Sequence, residues 1–111
     1  MGVTKTATRQ QTGGGSGITW AAVTSNATFT VNTGTLANKG TLLTMTLPTT
    51  SALGDIIEIA GMNAGLWKVA QNASQLIHFG NQNTTTGTGG FLLSSFTYDA
   101  IRMICVVANL E

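Results

Sequence analysis

Short segments in which apolar and polar residues alternate recur along the chain, separated by turn-forming residues. The clearest runs from Leu42 to Leu47, where Leu43, Met45 and Leu47 share one face and two threonines share the other. A period of two residues is that of a β-strand with one buried face. No helical periodicity extends beyond one turn. About eight or nine short strands, spaced about 8 to 12 residues apart, predict an all-β domain built as a small antiparallel sandwich or barrel.

The composition supports strands and excludes several classes of function. Of 111 residues, 20 are threonine, whose branched side chain suits a pleated surface. Only 8% of the residues are charged, against about 25% in ordinary soluble domains. The net charge of +1 comes from scattered cations, which argues against binding to nucleic acid, and no apolar run is long enough for membrane insertion. Uncharged surface is best hidden between subunits, so we expect a homo-oligomer.

A run of glycine and serine at residues 13–17 predicts a flexible linker, because it has no side chains to pack. It separates an N-terminal strand within residues 1–12, alternating from Val3 to Thr8, from a main β domain at residues 18–111. Within that domain we predict loops at Asn32–Gly40 and Gly80–Gly90, both rich in turn formers. Tyr98–Ala108 is predicted to be one long strand, apolar on both faces towards its end.

The sequence predicts no enzyme and no bound cofactor. His78 and Cys105 are the only histidine and cysteine, too few for a metal site built from these ligands. Asp55 and Glu58 are three residues apart, which places them on opposite faces of a strand rather than as a converging acid pair. An enzyme such as a depolymerase would need two carboxylates clustered in a groove, and the candidates are Asp55, Glu58 and Asp99. No residue is assigned a catalytic, cofactor-binding or metal-binding role.

Trp20 and Trp67 allow two interpretations. An exposed tryptophan beside Asn and Thr offers an apolar face on which a sugar ring can stack. Both residues lie in predicted strands, and Trp67 alternates in phase with Val69, so the pattern favours a position in the core for both.

Blocks of sequence in a fixed order resemble a domain repeated in tail fibres and tailspikes of tailed bacteriophages and prophages. These blocks cover about residues 17 to 109 and include Gly17-Ile18-Thr19-Trp20, Leu47-Pro48-Thr49, Gly54-Asp55, Gly65-Leu66-Trp67-Lys68-Val69-Ala70-Gln71-Asn72-Ala73, Ile77-His78-Phe79-Gly80, Thr84-Thr85-Thr86-Gly87-Thr88-Gly89-Gly90, Tyr98-Asp99-Ala100 and Cys105-Val106-Val107-Ala108-Asn109. The resemblance implies a trimeric β-structured module near the end of a fibre, made in the bacterial host cytoplasm and located in the virion. Its role would be assembly, capping or contact with the host surface.

In that family a Trp-containing final strand follows the Val-Val-Ala-Asn segment. The resemblance therefore implies that residues 1–12 are the relocated C-terminal strand of an engineered circular permutant, joined through residues 13–17. The alternative is that Leu110-Glu111 is a cloning scar and residues 1–17 are a leader, in which case Val3–Thr8 would be disordered. Circular permutation is tolerated where chain ends lie close together at the surface.

The leading hypothesis is a non-enzymatic structural or assembly module that self-associates through apolar strand faces. The residues expected in its core or subunit contacts are Ile57, Ile59, Trp67, Ile77, Phe79, Ile101, Met103, Cys105 and Val107. The alternative is a receptor-binding tip that recognises a host-surface glycan through the turn at Gly61–Gly65 and the loop at Gly80–Gly90. The residues expected to contact that ligand are Asn63, Trp67, Asn81, Asn83 and Thr85.

Overall fold

The computed structural model describes the backbone of residues 2–5 and the whole of residues 18–111. These residues form eleven strands and no helix, so none of them provides a helix that could cross a membrane. In chain order the strands are β1 (Gly2–Lys5), β2 (Thr19–Val23), β3 (Ala27–Thr28), β4 (Thr33–Ala37), β5 (Leu43–Thr46), β6 (Ile56–Gly61), β7 (Trp67–Ala70), β8 (His78–Phe79), β9 (Gln82–Asn83), β10 (Phe91–Leu93) and β11 (Ala100–Ile104).

The strands belong to two sheets of mixed orientation. One sheet has seven strands in the order β2-β4-β6-β11-β1-β8-β9, and the other has four in the order β10-β7-β5-β3. The all-β prediction is confirmed, but the prediction of an antiparallel arrangement is wrong. Among the described strands, five of the nine pairings are parallel.

The parallel pairings arise because the chain passes back and forth between the sheets. Strands β2, β4 and β6 enter the larger sheet, whereas β3, β5 and β7 enter the smaller one. Each strand from β2 to β5 therefore pairs with the strand two further along the chain and runs in the same direction. Thr19 pairs with Thr33, and Thr33 with Ile57, so each ladder joins residues far apart in sequence. Parallel neighbours need a long crossover of this kind, and here the intervening strand supplies it.

Both sheets contribute to one hydrophobic core. Ile57 and Ile59 on β6 alternate with Glu58, and Trp67 and Val69 on β7 alternate with Lys68, as the sequence predicts. The buried members of the core are Phe29, Ala37, Leu43, Met45, Leu47, Ile57, Ile59, Trp67, Val69, Ile77, Ile101, Met103 and Cys105. Two of the residues expected in the core or in subunit contacts, Phe79 and Val107, are instead exposed in the single chain.

Several strand boundaries differ from the predicted ones. The loop predicted at Asn32–Gly40 contains β4, because Thr33–Ala37 is held between β2 and β6 despite its many turn formers. The long strand predicted at Tyr98–Ala108 is limited to β11, and the chain turns after Ile104. A segment apolar on both faces is typical of a strand that is central to a sheet or trapped between subunits, and β11 lies inside the larger sheet, between β6 and β1.

Strand β1 lies inside the seven-stranded sheet rather than at its edge. It pairs antiparallel with β11, where Val3 is opposite Met103, and parallel with β8, where Val3 is opposite Phe79. The linker at residues 13–17 and the rest of the predicted Val3–Thr8 strand lie outside the described residues.

Strand β6 offers a direct test of the shared core. We expect Ile59→Asp to lower the free energy of unfolding by more than about 4 kcal/mol, because it places an unpaired carboxylate in an apolar interior. Ile59 is fully buried, whereas Ile104 is 36% exposed, so Ile104→Asp is the matched control and should fold normally. Circular dichroism and urea unfolding of both variants give the measurement. A stable Ile59→Asp variant would contradict the assignment of this core.

Candidate functional site

A groove of about 360 Å³ lies between the terminal strands of the two sheets. One wall comes from β8 and β9 of the larger sheet, the other from β10 of the smaller sheet, and the connecting loop provides the floor. The lining residues are Phe79, Gln82, Asn83, Thr84, Thr85, Gly89, Gly90, Phe91 and Leu92. The groove is therefore built mainly by the segment predicted to be a polar loop.

Strands β8 and β9 form a tight hairpin, and its turn and second strand lie within that predicted loop. Phe79 pairs with Gln82, which leaves only Gly80 and Asn81 as the turn. Gly80 has φ of +62°, as a type II′ turn requires at its first central position, and glycine adopts this conformation without strain. The hairpin brings Phe79 and Asn83 to the same end of the sheet.

The buried side chain of Gln71 holds the loop that follows the hairpin. Its amide nitrogen donates to the carbonyl oxygens of Gln75 at 2.7 Å, Thr85 at 3.0 Å and Gly87 at 3.2 Å. Its carbonyl oxygen accepts a hydrogen bond from the hydroxyl of Thr84. Residue 90 must be glycine because a Cβ atom there would lie 1.9 Å from the Thr85 carbonyl oxygen. The shape of the groove therefore depends on the hydrogen bonds that the buried Gln71 side chain makes to the loop.

The exposed part of the groove combines aromatic rings with uncharged polar groups. Phe79 is 38% exposed and Phe91 47% exposed. The ammonium group of Lys68 lies 4.5 Å from the centre of the Phe91 ring, a cation–π distance. Gln82 and Asn83 add side-chain amides. This surface suits a neutral ligand that has both apolar faces and many hydroxyl groups.

The structure brings together two of the five predicted ligand-contact residues. Asn83 and Thr85 line the groove, but Asn81 lies in the hairpin turn and is not part of the lining. Asn63 is not among the lining residues, and its amide nitrogen donates a hydrogen bond to the side-chain oxygen of Asn38 at 3.1 Å. The prediction of ligand contact is wrong for Trp67. That side chain is 2% exposed, and its indole nitrogen donates to the Asp99 carbonyl oxygen.

Sequence reasoning also missed residues that shape the groove. The sequence predicts Phe79 in the core or a subunit contact and predicts no role for Phe91 or Gln71. The pair Gly80-Asn81 between alternating segments is a signal for a two-residue hairpin, which would have placed Phe79 at the end of a strand, beside the turn. Nothing in the sequence marks Gln71 as buried.

Trp20 is not in the core, contrary to the interpretation favoured from its strand position. It is 37% exposed, and its ring lies across Gly34 on the neighbouring strand. A Cβ atom at Gly34 would lie 2.3 Å from that ring, so only glycine fits beneath it. The aromatic ring covers the gap that glycine leaves in the sheet.

The four carboxylates are held by separate structural contacts. Asp55 accepts from the Ala52 backbone at 2.8 Å, and Asp99 accepts from the Ser95 backbone at 2.8 Å. Glu58 is 6% exposed and pairs with Arg102 at 2.5 Å. Among the described residues, no group of three or more His, Cys, Asp or Glu side chains is placed to hold a metal ion.

Comparisons with known proteins add no relative from which a role for this groove could be inferred. No family model, curated protein or solved structure matches the chain.

His78 makes a hydrogen bond to the groove residue Asn83. His78 has acceptors at both ring nitrogens, the Asn83 side-chain oxygen at 2.6 Å from Nδ1 and the Glu111 carboxylate at 2.5 Å from Nε2. Only the protonated imidazole can donate from both nitrogens. The hydrogen bond to Glu111, with a smaller contribution from Asn83, raises the pKa of His78 above its usual 6.5.

We expect this contact to make stability depend on pH. Because the folded pKa of His78 is raised, its stabilisation is fully present below the unfolded pKa of 6.5 and is lost as the pH rises through the folded pKa. Since His78 is the only histidine, an NMR titration of its ring reports the value without ambiguity. Glu111→Gln should lower that pKa towards 6.5 and weaken the pH dependence of unfolding. A wild-type pKa at or below 6.5 would contradict the prediction.

Proposed function

We propose that the chain is a non-enzymatic structural module that self-associates through apolar surface. The observation that carries this proposal is that five of its seven aromatic side chains are exposed. These are Trp20, Phe79, Phe91, Phe96 and Tyr98, with Phe96 at 74% and Tyr98 at 66%. Subunit interfaces are enriched in aromatic residues and depleted in charged ones, and this chain has only nine Asp, Glu, Lys and Arg residues.

The contacts of the acidic residues support a role without catalysis. A catalytic carboxylate must be accessible to a substrate. Here Asp55 and Asp99 cap turns, and Glu58 is buried against Arg102. Each carboxylate serves the fold instead.

The proposed setting is a tail fibre or tailspike of a tailed bacteriophage, with the virion as its location. This part of the proposal rests on the ordered sequence blocks between Gly17 and Asn109. The position of β1, Gly2–Lys5, between β11 and β8 supports an extension of it, that the N-terminal segment contains a strand moved from the other end of the domain. A leader without a role in the fold would not be expected inside a sheet.

Self-association predicts a solution mass that is a multiple of the 11.5 kDa chain mass. Multi-angle light scattering across a hundredfold range of concentration gives the measurement. The resemblance to fibre domains leads to the expectation of a trimer, but any stable oligomer supports the proposal. A monomer throughout the range would overturn it, because the exposed aromatic surface would then belong to no subunit interface.

The groove favours a second candidate function, recognition of a host-surface glycan. Phe79 and Phe91 offer ring faces on which sugars can stack, and Asn83 and Thr85 offer groups that bond to hydroxyls. The groove needs no conformational change to open, because Gln71 and the β8–β9 hairpin already fix its walls.

An array of bacterial surface glycans tests the second candidate with matched variants. Asn83→Ala removes a lining amide, and Asn81→Ala removes an amide two residues away that lies outside the lining. We expect wild-type binding to at least one glycan, with affinity reduced about tenfold by Asn83→Ala and unchanged by Asn81→Ala. Equal losses in both variants, or no binding by the wild type, would contradict a glycan site in this groove.

A further inference from the structure

The edges of the two sheets differ in how well they are protected. An edge strand exposes unpaired backbone N–H and C=O groups, and natural proteins limit this by keeping edge strands short, charged or interrupted by proline. Three of the four edge strands among the described residues are short, since β3 and β9 have two residues each and β10 has three. Strand β2 is the exception, with five residues.

Strand β2 also lacks the other protective features. Its sequence Thr19-Trp20-Ala21-Ala22-Val23 contains no charge and no proline. The first four residues are exposed and only Val23 is partly buried. Its one pairing among the described strands is with β4, so its second edge has no described partner.

We propose that this edge is a subunit interface, at which β2 pairs antiparallel with β2 of a second copy of the chain. The inference rests on the proposed self-association and specifies where it occurs. A two-fold axis at Ala21 would place that residue opposite its own equivalent, Trp20 opposite Ala22, and Thr19 opposite Val23. Two seven-stranded sheets then form one continuous sheet across the axis.

The side chains of β2 suit this register. Ala22 is small enough to face Trp20 of the second chain. Ala21 faces Ala21 of the second chain, and two such small side chains do not clash. The Trp20 ring already lies over Gly34 within its own sheet, away from the outer edge of β2. Thr19 and Val23 form a pair of β-branched residues, which is favourable across antiparallel strands. No like charges oppose each other.

The lengths of the other edges favour a second β2 as the occupant. A ring of three copies would need β2 to pair with a different edge of the next subunit. The other described edges have two or three residues and cannot match a five-residue ladder. Among the edges that the structure describes, only β2 itself matches the full length of β2, so the inference predicts a dimer rather than a trimer at this edge.

A charge placed at the axis tests the interface. Ala21→Lys sets two ammonium groups against each other, and Ala21→Glu does the same with two carboxylates. We expect each variant alone to dissociate about tenfold more readily than the wild-type dimer. An equal mixture of the Ala21→Lys and Ala21→Glu chains should form a dimer again, because opposite charges then meet. Ala73→Lys, an exposed alanine in the connection after β7, is the control and should leave the dimer intact.

Light scattering distinguishes failure of this inference from failure of the proposed function. A wild-type trimer, or a dimer that Ala21→Lys does not weaken, would overturn pairing at β2 while leaving self-association in place. A wild-type monomer would overturn both. Failure of the mixed chains to recover the dimer would also count against an axis at Ala21.

Discussion

The fold depends on the burial of one apolar face from each sheet in a single core. Strands β2 to β7 alternate between the sheets, so their hydrogen-bonding partners are distant in the chain, as with Leu43 and Trp67. Closing such long segments has an entropic cost that the ladder bonds of a two-strand pair do not offset. The apolar side chains that meet in the core offset it, because Ile57, Ile59 and Val69 are removed completely from water. The hydrogen-bonded strand pairs and the hydrophobic core are therefore expected to form together during folding.

Buried side-chain amides pair with backbone carbonyl groups of the connections between these strands. These groups need partners because the connections pass through the interior as well as over the surface. Gln75 is 4% exposed, and its side-chain nitrogen donates to the carbonyl oxygens of Pro48 at 2.7 Å and Asn109 at 3.1 Å. Gln71 does the same for the loop beneath the groove. Among the described residues, no buried side-chain nitrogen or oxygen lacks a partner. Because an unpaired buried group costs about 1–3 kcal/mol, these amides fix the positions of the segments they bind.

The sequence predicts local pattern well and distant pairing poorly. The alternation in β5, β6 and β7 identifies the residues that face the core, because the period of two is a property of each strand alone. Strand β4 was predicted as a loop because its residues favour turns, and only its neighbours β2 and β6 hold it extended. Parallel direction depends on which sheet each strand joins, which no local pattern records. For the same reason the sequence does not predict that Trp20 is exposed while Trp67 is buried, and it does not predict the role of Gln71.

Assembly and ligand binding would use opposite ends of the larger sheet. Strand β2 forms one edge and β9 the other, with five strands between them. Pairing through β2 would therefore leave the groove beside β9 open in both subunits. The short edges β9 and β10 resist strand addition, so the groove can expose Phe79 and Phe91 without becoming a second pairing site. A two-fold axis at β2 would set the two grooves at the far ends of one continuous sheet, where a dimer could engage two ligands together and gain avidity without any new contact.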